Sequence, residues 1–173
     1  MRGQVIGERM PHGYAGSYAR QPDMVVDTHP MEGTERILFG APVAVGTAGA
    51  AKAWAADSTG PDFLGIAVRE VKSATDYLNQ NAGSYRPGEA VPVMKRGCVN
   101  VICQAGTPAP GGKVYVRVAV NEVKPNLAIG GFEAAADTAG SVSYTTELVN
   151  CQWKGGADAN RVAELRILTM INA

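Results

Sequence analysis

The sequence predicts an all-β protein, and three observations carry that prediction. Its centre, Tyr85 to Val120, holds three β-type segments divided by Gly97 and by Thr107-Pro-Ala-Pro-Gly-Gly112. Turn signals recur at short intervals along the rest of the chain. Almost nothing reads as helix. Many short strands with regular punctuation imply an antiparallel β-barrel or β-sandwich, jelly-roll-like in outline.

The central segments justify this directly. In Lys113 to Val120, Val114, Val116, Val118 and Val120 share one face, and Tyr115, Arg117 and Ala119 share the other. That is the period-2 signature of a strand with one buried face. In Cys98 to Cys103 both faces are largely apolar, which places the strand inside a sheet. Ala90 to Lys95 is the third segment.

Residues 1–33 read differently. Gly3, Gly7, Gly13, Gly16, Pro11, Pro22 and Pro30 deny them a helix or a central strand. Yet Met10, Tyr14, Tyr18, Met24, Val25 and Val26 are too apolar for a disordered linker. The sequence therefore predicts an extended irregular N-terminal arm, 1–33, laid across its own domain or a neighbour's, and a barrel or sandwich domain, 34–173. Within the arm, Met10, Tyr14, Tyr18, Met24 and Val25 are the candidate partner contacts.

In the domain, Thr34 to Val45 reads as one or two strands broken at Gly40-Ala-Pro42. Gly46 to Gly60 reads as a loop, or a short strand near Lys52 to Ala55. Phe63 to Val71 reads as a strand, with Leu64, Ile66 and Val68 on one face. Ser73 to Asn81 is a loop or one helical turn, and Tyr85-Arg-Pro-Gly88 is a turn. Leu127 to Ile129 could form a short strand. Phe132 to Ser143 reads as an exposed loop whose acids, Glu133 and Asp137, are solvated. Tyr144 to Trp153 and Ala163 to Ile171 are strands.

Composition narrows the function. Lys plus Arg and Asp plus Glu number 16 each, so the formal charge is zero. No basic excess or cluster points to nucleic acid. No 18-residue apolar run predicts a membrane span, and the N-terminus lacks the apolar core of a secretory signal. Synthesis in the cytoplasm is expected. Zero net charge suits a protein held in an assembly better than a free one.

The thiols Cys98, Cys103 and Cys151 match no zinc spacing. Cys98 and Cys103 differ in parity, so they face opposite sides of one strand. Three buried thiols are expected in a reducing compartment. A bond between chains is the sharper alternative, with Cys151 its candidate because it follows a polar segment.

No catalytic constellation stands out. His12 and His29 both lie in the arm, and no Gly-x-Ser-x-Gly elbow occurs. Asp27, His29, Glu32 and Glu35 offer cation ligands without a recognised spacing and read as a solvated turn. The Gly-Gly pairs lack a P-loop frame. Trp54 and Trp153 read as buried or interface side chains. No catalytic residue, metal or cofactor is expected.

The stretches MPHGYAGSYARQPD, FGAPVAVGTAG with DFLGIAVREV, and YRPGEAVPVMKRGCVNVICQAGTPAPGGKVYVRVA together resemble the capsid decoration, or structural cement, proteins of tailed bacteriophages. The resemblance covers roughly residues 10 to 125. It implies a β-rich, non-enzymatic protein on the virion exterior that ties neighbouring major capsid protein subunits together. It also implies a dimer or trimer with arms reaching over neighbours. The alternatives are another virion part (a tail-tube or head-completion protein) or, from a different class, a β-sandwich binding module or enzyme.

Overall fold

The computed structural model describes residues 11–70 and 83–172. Its strands are β1 (Tyr18–Glu32), β2 (Ile37–Leu38), β3 (Pro42–Val45), β4 (Ala51–Ala53), β5 (Phe63–Ala67), β6 (Ser84–Tyr85) and β7 (Ala90–Ala105). They continue with β8 (Lys113–Arg117), β9 (Phe132–Glu133), β10 (Thr138–Ala139), β11 (Val142–Ser143), β12 (Thr145–Trp153) and β13 (Val162–Ile167). Two single 3-10 turns, Thr47–Gly49 and Gly60–Asp62, complete the described elements. The all-β expectation holds, and the layering is sandwich-like.

Nine strands form one mixed sheet in the order β1-β4-β3-β5-β7-β13-β12-β8-β9, with further pairings of β1 and β9 to β7. These extra pairings close the sheet on itself twice. One circuit runs β7-β1-β4-β3-β5 and the other β7-β13-β12-β8-β9, so both share β7. Closure matters because a paired strand presents no free edge to a foreign chain. Two of the pairings, β1 with β4 and β7 with β9, are parallel.

Each circuit has its own apolar cluster. Met31, Val43, Ala51, Leu64, Ala67, Val91 and Val93 fill the first, capped by Ile37 and Tyr85 from the β2–β6 pair. The second and larger cluster gathers Val99, Val101, Cys103, Val114, Val116, Leu148, Trp153 and Leu165. It also draws in Phe63, Ile66 and Met94, so the two cores share β5 and β7. Leu64 and Ile66, expected on one face, join different clusters. The cause is a slip in pairing: Val43 opposes Gly65 and Ala44 opposes Phe63, which leaves Leu64 unmatched.

The two segments expected on either side of Gly97 are one 16-residue strand, β7. Gly97 bends it at φ +122°, in the region that glycine alone adopts readily. A Cβ there would lie 2.8 Å from the Asp23 carbonyl oxygen, so β1 also needs glycine's bare backbone at this crossing. In β1 the pairing jumps from Arg20↔Cys98 to Val25↔Arg96. Four residues, Gln21 to Met24, therefore bulge opposite Gly97. Pro22, which has no N–H for a ladder, lies in that bulge.

Residues 1–33 were expected to form an extended irregular arm with no helix or central strand; of these, Tyr18–Glu32 is a 15-residue strand laid along β7 of its own domain. Residues 11–17 are tied to the same domain. The Gly16 N–H donates to Asn100 O at 2.7 Å, and its carbonyl accepts from Arg69 N at 2.8 Å. Upstream, His12 N donates to the Asp158 carboxylate at 3.0 Å.

Two further differences follow from long-range contacts. Leu127 to Ile129 forms no strand. Phe132 to Ser143 is not a plain exposed loop: it contains β9 and the β10–β11 hairpin, and Glu133 and Asp137 are buried. Ser73 to Asn81 falls outside the described residues.

Candidate functional site

Of the five arm residues expected to meet a partner, the structure separates two from two. Tyr14 is 72% exposed, and Val25, the first paired residue after the bulge, is also exposed. Tyr18 and Met24 instead pack against the larger core cluster, as does Val26. Met10 lies outside the described residues. Alternation accounts for Val25, which points away from the core between the inward Met24 and Val26, while Tyr14 lies in the turn before β1.

Tyr14 is held in place rather than loose. The Arg69 guanidinium stacks over its ring, 5.2 Å from the centroid, a cation–π contact. Next to it, the Tyr18 hydroxyl donates to the Glu70 carboxylate. Burial and then this carboxylate push the Tyr18 phenol well above its ordinary range. Ser17 Oγ donates to Tyr14 O at 2.7 Å and closes the turn. Gly16 and Gly40 touch backbone to backbone here; a Cβ on Gly40 would stand 2.6 Å from Gly16 N.

Beside this contact a groove of about 220 Å³ opens between the β2–β3 turn, the end of β4, the far half of β7 and the 128–132 connection. Leu38, Phe39, Trp54, Ile102, Ile129 and Phe132 form its apolar lining. Leu38 is 60% exposed and Ile102 50% exposed. Among the described lining residues Arg36 alone is ionised. Gln104 contributes little free polarity. Its Nε2 donates to Ala128 O and the Glu133 carboxylate, and its Oε1 accepts from Ala128 N.

Below the groove sits a charged network that sequence reading missed. Arg117 is fully buried and forms a two-point pair with Glu133, Nε–Oε1 2.6 Å and Nη2–Oε2 3.1 Å. Nη2 also reaches Asp137 Oδ2 at 2.6 Å, and Lys124 Nζ reaches Oδ1 at 2.8 Å. Asn121 Nδ2 donates to the same carboxylate at 3.1 Å. Lys124 foremost, then Arg117, holds the Asp137 carboxyl down at about 2. Two cations meet two carboxylates, so the buried charge is compensated. The one available signal was Arg117 itself, a charge inside an alternating valine strand.

Of the four groups offered by 27–35, Asp27, His29 and Glu32 are used structurally. Asp27 pairs with the buried Lys95 at 3.2 Å. His29 Nδ1 contacts Gly49 O at 2.7 Å, and Glu32 accepts from Thr47 N and Oγ1. Among the described residues no group of three or more His, Cys, Asp or Glu side chains is placed to hold a metal ion. No described helix is long and apolar enough to cross a membrane. Trp153 is fully buried and Trp54 nearly so.

Cys98, Cys103 and Cys151 are all free and buried. Cys151, the candidate for a bond between chains, is 5% exposed and belongs to the larger core cluster. Burial pushes its thiol far above the ordinary range. A bond to another chain would require β12 to open, so the polar segment before Cys151 was a poor guide to its exposure.

The fold and its surface define a sheet-built protein with a structured N-terminal strand, a fixed aromatic patch and an apolar groove. The family model described as structural cement protein (E217 gp24/Pam3 gp6) matches residues 2–168, and the chain belongs to that phage family. A chain in the solved capsid of Myoviridae phage XM1 has the same fold. It is 18% identical over 98% of both chains, with a TM-score of 0.68. No curated protein matches the chain.

Proposed function

We propose that this protein binds the outer surface of a phage capsid and cements neighbouring major capsid protein subunits, without catalysing a reaction. The observation that carries the reading is the family match across residues 2–168. The outward side of the N-terminal segment supplies the contact: Tyr14, clamped by Arg69, and Val25 just past the bulge. Ordered aromatic and arginine side chains make strong anchors because little freedom is lost on binding.

The protein acts as a dimer or trimer in this reading. One weak contact per subunit then becomes a strong attachment, since each later contact forms at high effective concentration. Association with nucleic acid or membrane is not part of the mechanism, and the site of action is the virion exterior.

Removing residues 1–30 would not test this, because it would strip β1 from β7 and expose both cores. Point changes on the outward face are the proper probe. Tyr14→Ala combined with Val25→Glu should weaken binding to capsids lacking the protein by roughly ten-fold or more. Cosedimentation measures it, and the thermal midpoint should stay unchanged. Unaltered affinity would remove the N-terminal segment from the contact.

A further inference from the structure

We infer that the groove beside Gly16 and Gly40 receives an extended segment of the capsid subunit, which inserts an apolar side chain and sets a carboxylate against Arg36. This rests on the capsid-binding reading and assigns it a specific socket.

Size argues first. Small-molecule sites usually enclose about 300–1,000 Å³. The groove encloses about 220 Å³, enough for one or two side chains. Chemistry argues second. Leu38, Ile102 and Ile129 are large apolar side chains left exposed around a single concavity. Such a grouping marks an interaction surface in a way that scattered exposed residues do not. The nearest polar side chain, Gln104, is already saturated by Ala128 and Glu133, so the groove asks little of its occupant in hydrogen bonds.

Charge and symmetry argue against a two-fold contact with a second copy through this groove. Among the described residues lining the groove there is one cation, Arg36, and no unburied carboxylate. A two-fold contact would set this patch against itself, because isologous interfaces pair identical surfaces. Two concavities would then meet, and two Arg36 side chains would lack an acid. A different chain with an apolar anchor and an adjacent Asp or Glu satisfies both needs. The groove wall is anchored: Phe132 in its lining pairs with Val116, and the adjacent Glu133 is held by Arg117.

The test compares wild type, Leu38→Glu, Ile102→Glu and Arg36→Glu in cosedimentation with capsids assembled without the protein. Val123→Glu, at an exposed position outside the groove, is the control. We expect the three groove variants to bind at least about ten-fold more weakly, with the control unchanged. Leu38 and Ile102 are solvent-exposed, so their thermal midpoints should match wild type. Groove variants that bind like wild type would overturn the inference while leaving capsid binding standing. Absence of wild-type binding would overturn the reading beneath it. Variants that dissociate a free oligomer in sedimentation equilibrium, yet bind capsids normally, would assign the groove to a second copy and overturn the inference.

Discussion

Arg117 and Glu133 face each other across β8 and β9 as a fully buried two-point ion pair, with contacts of 2.6 and 3.1 Å. The pair and its extension to Asp137 tie together β8, β9 and the start of the 138–143 hairpin. Lys124 completes the set at 2.8 Å from Asp137, so two cations meet two carboxylates beside the groove.

Breaking that pair on one side should be costly. Glu133→Ala leaves Arg117 buried and half-satisfied, and we expect a loss of about 3–5 kcal/mol in urea unfolding. The double variant Arg117→Met/Glu133→Leu should lose less than the single one, because no orphaned charge remains. A double variant that is worse than Glu133→Ala would mean that packing, not charge, dominates the site.

Acid should weaken the fold through Asp137. Its carboxyl titrates at about 2 when folded, against an ordinary value of 3.8. Between those values the unfolded chain binds more protons, so stability rises with pH there. The contribution is complete above the unfolded value and fades as pH falls from about 4 towards about 2. Urea midpoints of wild type should drop across that window more steeply than those of Asp137→Asn.

Gly97 should resist substitution. Gly97→Ala places a methyl group 2.8 Å from Asp23 O at a φ that L-residues rarely adopt. Strain of about 1–3 kcal/mol is expected. The same change at Gly111, whose φ is +75° but where nothing lies within 4 Å of the added Cβ, should be milder. Equal losses would show that φ alone sets the cost.

The thiols should be silent in the native state. Cys98, Cys103 and Cys151 are buried, and burial raises each one away from the reactive thiolate. A maleimide reagent should label none of them until denaturant is added, and then all three. A non-reducing gel should show no linked chains. A dimer band lost in Cys151→Ser would restore the bond between chains.

Much of the fold was legible because local patterns coincide with tertiary ones. The valines of β8 and the alternation of β12 and β13 are strand signals that survive folding. Pro87-Gly88 is a turn signal with a mechanism, and Gly88 adopts φ +83° as a type II turn requires. What failed depends on distant partners. Pro22 argued against a central strand, but a four-residue bulge opposite Gly97 lets β1 run past it. Glu133 and Asp137 read as solvated because their common partner, Arg117, lies 16 and 20 residues away. The candidate surface was legible only in part. Tyr14 and Val25 are exposed, while Tyr18 and Met24 pack against the core. The groove was invisible because its walls come from five separated stretches.

In the function proposed above, this protein strengthens a capsid by bridging its subunits from outside. The most direct measurement is the disruption temperature of capsids assembled without the protein, before and after saturation with it. We expect the shell transition to move upward as occupancy rises, and the gain to fall away with Tyr14→Ala/Val25→Glu. Capsids that bind the protein to saturation yet melt at an unchanged temperature would contradict the claim.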